Sequence, residues 1–426
     1  MQTRSILEQA IKWTKNELGI EPNIVVSSPG RLDFLNTHQD YKGLPVVSVG
    51  VNLRTYVIGS ARSDEKVMIA SYNMKEEGEE YRDEFYIKDL RLREGKWFGN
   101  YLRGAILALR KYGYEVKGVN VGIYSEVPIG GGLGSSAALT VAFIGFLNEI
   151  YDLGLSRNDI AELAYIAEHD ILDIPCGRLD QYGSAYGGIV RIEVKPPYRV
   201  EEIPFKAGSF VVLDSGIKHS TAEIHPKRQA DINKGLEILM TLSELPEELR
   251  VKLGLRYDEP AWEDIREEEI VPFLEFLPET PARRILYTIR AHRSTELALR
   301  IMKGEEIPME EMLEELGEEW RKDLEEAYKE RGIRRQLKLV GIIMNQQHEL
   351  MRDLYDLSLP ELEAIRNATL RAGALGVKIS GAGLGGALIA LVEDEDKGRT
   401  VLKSGVEAGA IRGWIVKVDE GLRREL

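Results

Sequence analysis

The sequence is almost without cysteine: Cys176 is the single one among 426 residues. No intrachain disulfide can form, and a metal cluster built on thiolates is excluded. A reducing, cytoplasmic setting is the expectation. Positive charge is in deficit as well, with 56 Lys and Arg against 70 Asp and Glu, a formal net charge of −14. Such a chain has no bulk field to hold nucleic acid or an anionic membrane, so neither is expected as a partner. A local pocket can still oppose the global sign and bind phosphate. Long apolar runs are missing too. The longest lies near residues 139–147, well below the roughly 20 residues of a membrane helix. The opening stretch, MQTRSILEQAIKWTKNELG, is amphipathic and charged and lacks the apolar core of a signal peptide.

What remains is ordinary globular material. Hydrophobic residues make up 43% of the chain, enough for large cores and too much for a disordered chain. At about 150 residues per domain the length suggests two or three domains, and two lobes sharing a cleft would fit. Apolar spacing predicts a first helix with Ile6, Ala10, Ile11, Trp13, Thr14 and Leu18 on one side. Strands are expected at 23–28, 46–51, 55–60 and 119–123, with Asn52, Leu53 and Arg54 separating the second from the third. An apolar helix of about fifteen residues should start at Ser135, and another should run over 156–171 with Ser156 as its cap.

Pro196 and Pro197 interrupt a charged stretch, which places a boundary there and divides the chain into 1–197 and 198–426. Beyond it, 209–214 reads as a buried strand and 230–371 as mostly helical. Pro308 is placed to open one helix, with Met309, Leu313, Leu316, Trp320 and Leu324 following at helical spacing. Strands return at 377–380, 387–392 and 414–418. Strands and helices do not alternate strictly, which argues for an α+β fold.

Four segments carry chemistry. The first is Pro128-Ile-Gly-Gly-Gly-Leu-Gly-Ser-Ser-Ala-Ala-Leu139. Glycines let backbone approach a ligand closely, and the serines stand where a helix begins, at its anion-attracting end. No lysine follows the last glycine, so this is not a Walker A loop. The second is Ser380-Gly-Ala-Gly-Leu-Gly-Gly-Ala387, between two strands, a second glycine wall for the same ligand. The third is Ser28-Pro-Gly-Arg-Leu-Asp-Phe-Leu-Asn-Thr-His-Gln-Asp-Tyr41. It is dense in hydrogen-bonding groups able to grip a polar substrate. The fourth pairs Glu168 with Cys176-Gly-Arg-Leu-Asp-Gln181, two carboxylates suited to a metal ligand and a base. Cys176 itself is expected to pack as a small apolar residue.

Together and in this order, the four segments resemble the GHMP kinase superfamily. The stretches Trp97-Phe-Gly-Asn-Tyr-Leu-Arg-Gly104, His38-Gln-Asp-Tyr41, Asp214-Ser-Gly-Ile-Lys-His-Ser220 and Tyr355-Asp-Leu-Ser-Leu-Pro-Glu-Leu362 resemble its galactokinase branch. The resemblance implies a two-lobed GHMP kinase fold with the active site in the cleft between the lobes. It also implies transfer of the ATP γ-phosphoryl group to a hydroxyl, usually the anomeric one, of galactose or a related sugar.

Carried over by position, Asp180 would be the catalytic base and Arg31 would lie beside it, balancing developing charge. Pro128, Gly130, Gly131, Gly132, Gly134, Ser135, Ser136 and Ala137 would wrap the phosphates of ATP. Ser136 and Glu168 would hold Mg²⁺. Asp33, Thr37, His38, Asp40, Tyr41, Gly381 and Gly383 would line the sugar site, with His38 and Asp40 on sugar hydroxyls.

There are departures from the family pattern. Thr37 stands where galactokinases carry the glutamate that contacts the C6 hydroxyl. Asp33 replaces an asparagine. The segment Ala222-Glu-Ile-His-Pro226 lacks the family's sugar-binding tyrosine. A pentose, a uronic acid or a non-sugar substrate is the alternative these departures raise, and a non-catalytic sugar sensor is another. The stretch around 323–341 reads as an insertion.

Overall fold

The computed structural model describes residues 2–95, 97–206, 208–218 and 221–426. Along these run β1 (Ile24–Leu35), β2 (Val46–Ala61), β3 (Lys66–Ser71), β4 (Arg82–Tyr86), β5 (Val119–Ser125) and β6 (Ile189–Ile192). They continue with β7 (Val200–Glu202), β8 (Ser209–Asp214), β9 (Gly376–Ser380), β10 (Ala387–Val392), β11 (Arg412–Val416) and β12 (Arg423–Arg424). Helices fill the intervals without strict alternation, so the fold is α+β. Among the described residues no helix is long and apolar enough to cross a membrane.

The chain forms two compact units, neither of them continuous in sequence. The first holds the chain up to Leu32, Ser48–Gly188 and Val418–Leu426; the second holds Asp33–Val47 and Ile189–Lys417. This differs from the single break expected after residue 197. Prolines mark where a chain turns, but long-range pairing decides which unit a segment joins.

In the first unit the sheet runs in the order β12-β1-β2-β5-β3-β4. β2 is antiparallel to β5, and β5 is parallel to β3. The expected break at 52–54 is absent, because β2 is one continuous strand. Asn52 faces outward, and Arg54 is buried without breaking the ladder. Its five N–H donors are all matched, by Ser27 Oγ, the Ser27 carbonyl, Asp419 Oδ2 and the Glu420 and Gly421 carbonyls. A buried cation is tolerated when every donor has a partner. This one clamps the C-terminal tail to β1, where Val26 pairs with Arg424.

The helix Ser135–Tyr151 is buried over most of 137–147, which is why it lacks the polar stripe of a surface helix. The helix expected over 156–171 is two elements. Ser156 and Asp159 form a capping box on Arg157–Ile166, and a π turn then carries Ala167–Ile171. Apolar spacing of 3.6 does not reveal a local change to five-residue bonds.

The second unit is built on a sheet in the order β11-β8-β10-β9, antiparallel at every pairing. All six residues of β8 are buried. The helix expected after Pro308 stops at Gly317, whose φ of +108° no regular helix accepts. Met309–Leu316 and Arg321–Tyr328 are therefore separate helices, although Leu313, Leu316, Trp320 and Leu324 are buried as their spacing implied. The helix Gly332–Asp353 begins inside the stretch read as an insertion.

This helix, together with Glu279–Met302, explains why residues 33–47 join the second unit. The Asn36 N–H donates to Gln347 Oε1 at 3.1 Å, and Gln39 Nε2 and Lys42 Nζ bond Thr288 through its carbonyl and its hydroxyl. Asn36 takes a left-handed φ of +64°, a conformation asparagine adopts more readily than most residues.

Candidate active site

The candidate residues fall into two sets, one in each unit. In the first unit Arg31, on β1, meets Asp180, in the first turn of the helix Leu179–Tyr186. Nε and Nη2 of Arg31 lie 2.7 Å from Oδ1 and Oδ2 of Asp180 respectively. The remaining guanidinium arm, Nη1, donates to the Gly132 carbonyl at 2.8 Å. One arginine thus ties the carboxylate to the glycine loop. The Arg31 side chain is 10% exposed and that of Asp180 30%, so the carboxylate stays open to a reactant while its partner is walled in. Bidentate geometry fixes the carboxylate plane as well as its position.

The loop gains its shape from left-handed glycines. Gly130, Gly132 and Gly134 have φ of +70°, +72° and +68°. The Gly131 N–H closes a turn on the Pro128 carbonyl. A side chain at Gly134 would meet Arg31 Nε at 3.1 Å, so the position needs glycine for both conformation and space. Gly134 is also the N-cap of Ser135–Tyr151, and among the described residues no side chain caps that helix. Among those residues the first-turn amides of Ser135, Ser136 and Ala137 thus have no side-chain acceptor, the arrangement that binds an anion at a helix start.

Glu168 stands on the π turn and is 2% exposed. Its Oε1 has no hydrogen-bond partner among the described residues, and neither has Gln181 Oε1. Burial pushes the Glu168 carboxyl up to about 7, with Ser136 pulling it back and the Asp180 charge adding to the rise. A buried, under-satisfied carboxylate beside a serine hydroxyl fits a hard divalent cation. Among the described residues no group of three or more His, Cys, Asp and Glu could hold a metal by itself. A cation here would therefore take oxygens from phosphate and water. Tyr101 adjoins this pair; burial and the Glu168 charge push its hydroxyl up to about 12, while a bond to Ser136 pulls it back.

A cavity of about 350 Å³ opens beside the loop, lined by Asn73, Trp97, Phe98, Tyr101, Ser136 and Leu139 among others. The Arg93 guanidinium covers the Trp97 ring at 3.8 Å. Trp97 Nε1 is buried and has no partner among the described residues.

In the second unit, Asp33 stands at the end of β1. It receives the Thr37 hydroxyl on Oδ1 at 3.0 Å and the Gly381 N–H on Oδ2 at 3.3 Å. Gly381 and Gly383 take φ of +90° and +80°, and a side chain on Gly383 would meet Leu357 Cβ at 2.7 Å. Asp40 is half-buried and accepts the Tyr41 N–H. His38 Nε2 lies 3.0 Å from the Ala382 carbonyl, which can only accept, so that nitrogen carries the proton. Burial, aided by the neighbouring His225, pushes the imidazole well below its usual range and keeps it neutral. Nδ1 must then accept the Tyr41 hydroxyl at 3.1 Å, and Tyr41 in turn meets the Tyr355 hydroxyl at 3.0 Å. Both His38 nitrogens are spent inside the protein, a different role from the expected contact with a sugar hydroxyl.

Three further residues enter this second set without having been assigned a role from sequence. His225 packs its ring on His38 and Tyr41, with centroids 4.8 and 5.1 Å away. Tyr355 stacks on Tyr287. Lys378 is fully buried on β9, and burial pulls its amine down to about 8 while the Asp33 charge pulls back. A lone lysine between Val377 and Ile379 in a strand was the only sequence signal for it. His219 and Ser220, in the Asp214–Ser220 segment, lie outside the described residues.

Comparison with known proteins gives the site its context. The GHMP kinases N terminal domain matches residues 100–188 and the GHMP kinases C terminal domain 310–410. The galactokinase galactose-binding signature matches 15–61. The galactokinase of Thermococcus kodakarensis is 30% identical over 383 residues, covering 88% of this chain and 92% of its own. That of Pyrococcus furiosus is 27% identical, covering 89% and 91%. In structure, Lactococcus lactis galactokinase complexed with galactose superposes with a TM-score of 0.77 at 21% identity, over 98% of this chain and 99% of that one. Methanococcus jannaschii mevalonate kinase gives 0.59 at 18% identity, over 93% and 98%. The fold is that of the GHMP kinases, and the chain belongs to their galactokinase family.

Proposed function

We propose that this chain transfers the γ-phosphoryl group of ATP to a hydroxyl of galactose, the anomeric one. The observation that carries this reading is the Arg31–Asp180 pair tied to a glycine loop whose helix start is uncapped. Phosphoryl transfer asks for positioning and charge neutralisation more than for covalent chemistry. Asp180 orients the attacking hydroxyl and takes its proton. Arg31 keeps the carboxylate in place and offsets charge as it develops. The loop from Pro128 to Ala137 cradles the phosphates through its amides, and the cavity beside Trp97 takes the adenine base.

Ser136 and Glu168 hold Mg²⁺, an assignment supported by the orphaned buried carboxylate oxygen. When bound, the ion neutralises phosphate charge. Asp33, Asp40 and the turns at Gly381 and Gly383 grip sugar hydroxyls, with Thr37, His38 and Tyr41 as the buttress behind them; the Thr37 hydroxyl accepts from Lys378 and donates to Asp33, so it is spent inside the protein. The curated relatives named galactokinase favour galactose over the alternatives.

The test is ADP release with ATP and Mg²⁺ on galactose, arabinose, galacturonate and fucose. Galactose should give the highest kcat/KM, and Asp180→Asn should remove the turnover. Preference for another sugar overturns the substrate, and no ADP release on any sugar overturns the kinase.

A further inference from the structure

Lys378 occupies the middle of β9, a strand buried at every position. Its Nζ donates to Thr37 Oγ1 at 2.8 Å, to the Ile379 carbonyl at 2.9 Å and to the Asp33 carbonyl at 3.2 Å. Three protons meet three acceptors, so the group is satisfied as an ammonium. Thr37 Oγ1 accepts from Lys378, and its own proton goes to Asp33 Oδ1. The other Asp33 oxygen takes the Gly381 N–H, and the Asp33 N–H donates to Ser380 Oγ at 3.2 Å. The bonds form one directed series from lysine through threonine to aspartate.

Fold stability does not explain this arrangement. Burying an ammonium is costly, and an aliphatic side chain of similar volume would suit the strand better. In a dry interior, bonds in series polarise one another and hold their members in a single geometry. What the lysine adds is therefore order: the Thr37 hydroxyl can point only one way, and the Asp33 carboxylate is pinned at both oxygens.

We infer that Lys378 is a positioning residue for the sugar: through the Thr37 hydroxyl it fixes the Asp33 carboxylate in the orientation that receives substrate hydroxyls. The inference rests on the reading of this chain as a sugar kinase with Asp33 in the sugar site. It adds a residue that touches no substrate and acts on affinity for the sugar alone.

The experiment uses the full-length protein and the sugar that the wild type phosphorylates best. Lys378→Met and Thr37→Val should each raise the KM for the sugar by about 10- to 100-fold, the range of one hydrogen bond to a charged group. The KM for ATP and kcat should stay within about twofold. Thr37→Ser, which keeps the hydroxyl, should stay near wild type. The double variant should lose no more than the worse single one, because both changes cut the same relay. A sugar KM unchanged in Lys378→Met and Thr37→Val overturns the relay and leaves the kinase reading standing. So does an equal loss in sugar and ATP parameters, or additive losses in the double variant. Absence of turnover on every sugar by the wild type overturns the kinase reading and the relay with it. If Lys378→Met does not fold, the Thr37→Val and Thr37→Ser pair decides alone.

Discussion

Arg31 holds both carboxylate oxygens of Asp180 at 2.7 Å and reaches the Gly132 carbonyl with its third arm. The base and the phosphate loop are therefore positioned by one side chain. Damage to either end of that link should be felt at the other.

Asp180→Asn keeps the shape of the side chain and removes its charge. It should cut kcat by about 10²–10⁴, the usual range for loss of a general base, with little change in ATP affinity. Steady-state ADP release together with equilibrium nucleotide binding separates the two. A variant that retains more than about a tenth of wild-type kcat would remove Asp180 from the role of base.

Gly134→Ala tests the link from the loop side. The left-handed backbone at φ +68° penalises alanine by about 1–2 kcal/mol. The new methyl would also press on Arg31 at 3.1–3.2 Å. Loss of ATP affinity and loss of kcat are both expected, because phosphate loop and base orientation shift together. Loss confined to ATP affinity would show that the loop and the base are uncoupled.

Glu168→Gln addresses the cation. The amide is as large as the carboxylate but cannot neutralise a divalent ion. The Mg²⁺ concentration for half-maximal rate should rise by about tenfold or more, comparable to the loss of other metal-site contacts. The Mg²⁺-dependent rise in melting temperature with ADP present should vanish. An unchanged Mg²⁺ requirement would place the ion on other residues.

The second unit should be sensitive to acid. Burial, with the nearby Arg191 charge, lowers His292 to about 4. An unfolded histidine titrates near 6.5, so between these values the unfolded state binds the extra proton. Stability is fully present above about pH 6.5 and is lost as pH falls toward 4, by up to about 3 kcal/mol for this group. His348, also pushed down by burial, acts in the same direction. Urea unfolding at pH 7 and pH 4.5 should show the loss, and His292→Gln should reduce it. A midpoint independent of pH would contradict the buried neutral state.

Much of this molecule was legible in its residues. The glycine loop, its serine-led helix and the strand at 209–214 follow from period and from the chemistry of glycine. The pairing of Arg31 with Asp180 needed the family resemblance, since the two lie far apart in sequence and no local pattern joins them. The π turn under Glu168 was invisible because the helical apolar spacing runs into it unbroken. Arg54 read as a strand breaker because its burial depends on carbonyls near the C-terminus. Lys378 escaped for the same reason: the Thr37 hydroxyl and the Asp33 carbonyl, which it bonds, are on another part of the chain. His38 was seen as a polar group in a polar segment, and only the positions of Ala382 and Tyr41 reveal that its nitrogens are taken.

The Arg54 clamp has a consequence for synthesis. A ribosome delivers β1 and β2 early, yet three of the five acceptors of Arg54 belong to Asp419, Glu420 and Gly421. Until those residues emerge, a guanidinium destined for the interior has only Ser27 to bond and the edge of β1 stands unpaired against β12. The nascent first unit must wait, incomplete, while the whole of the second is translated. Emergence of residues 418–426, rather than completion of residues 1–188, is the event that lets this sheet close.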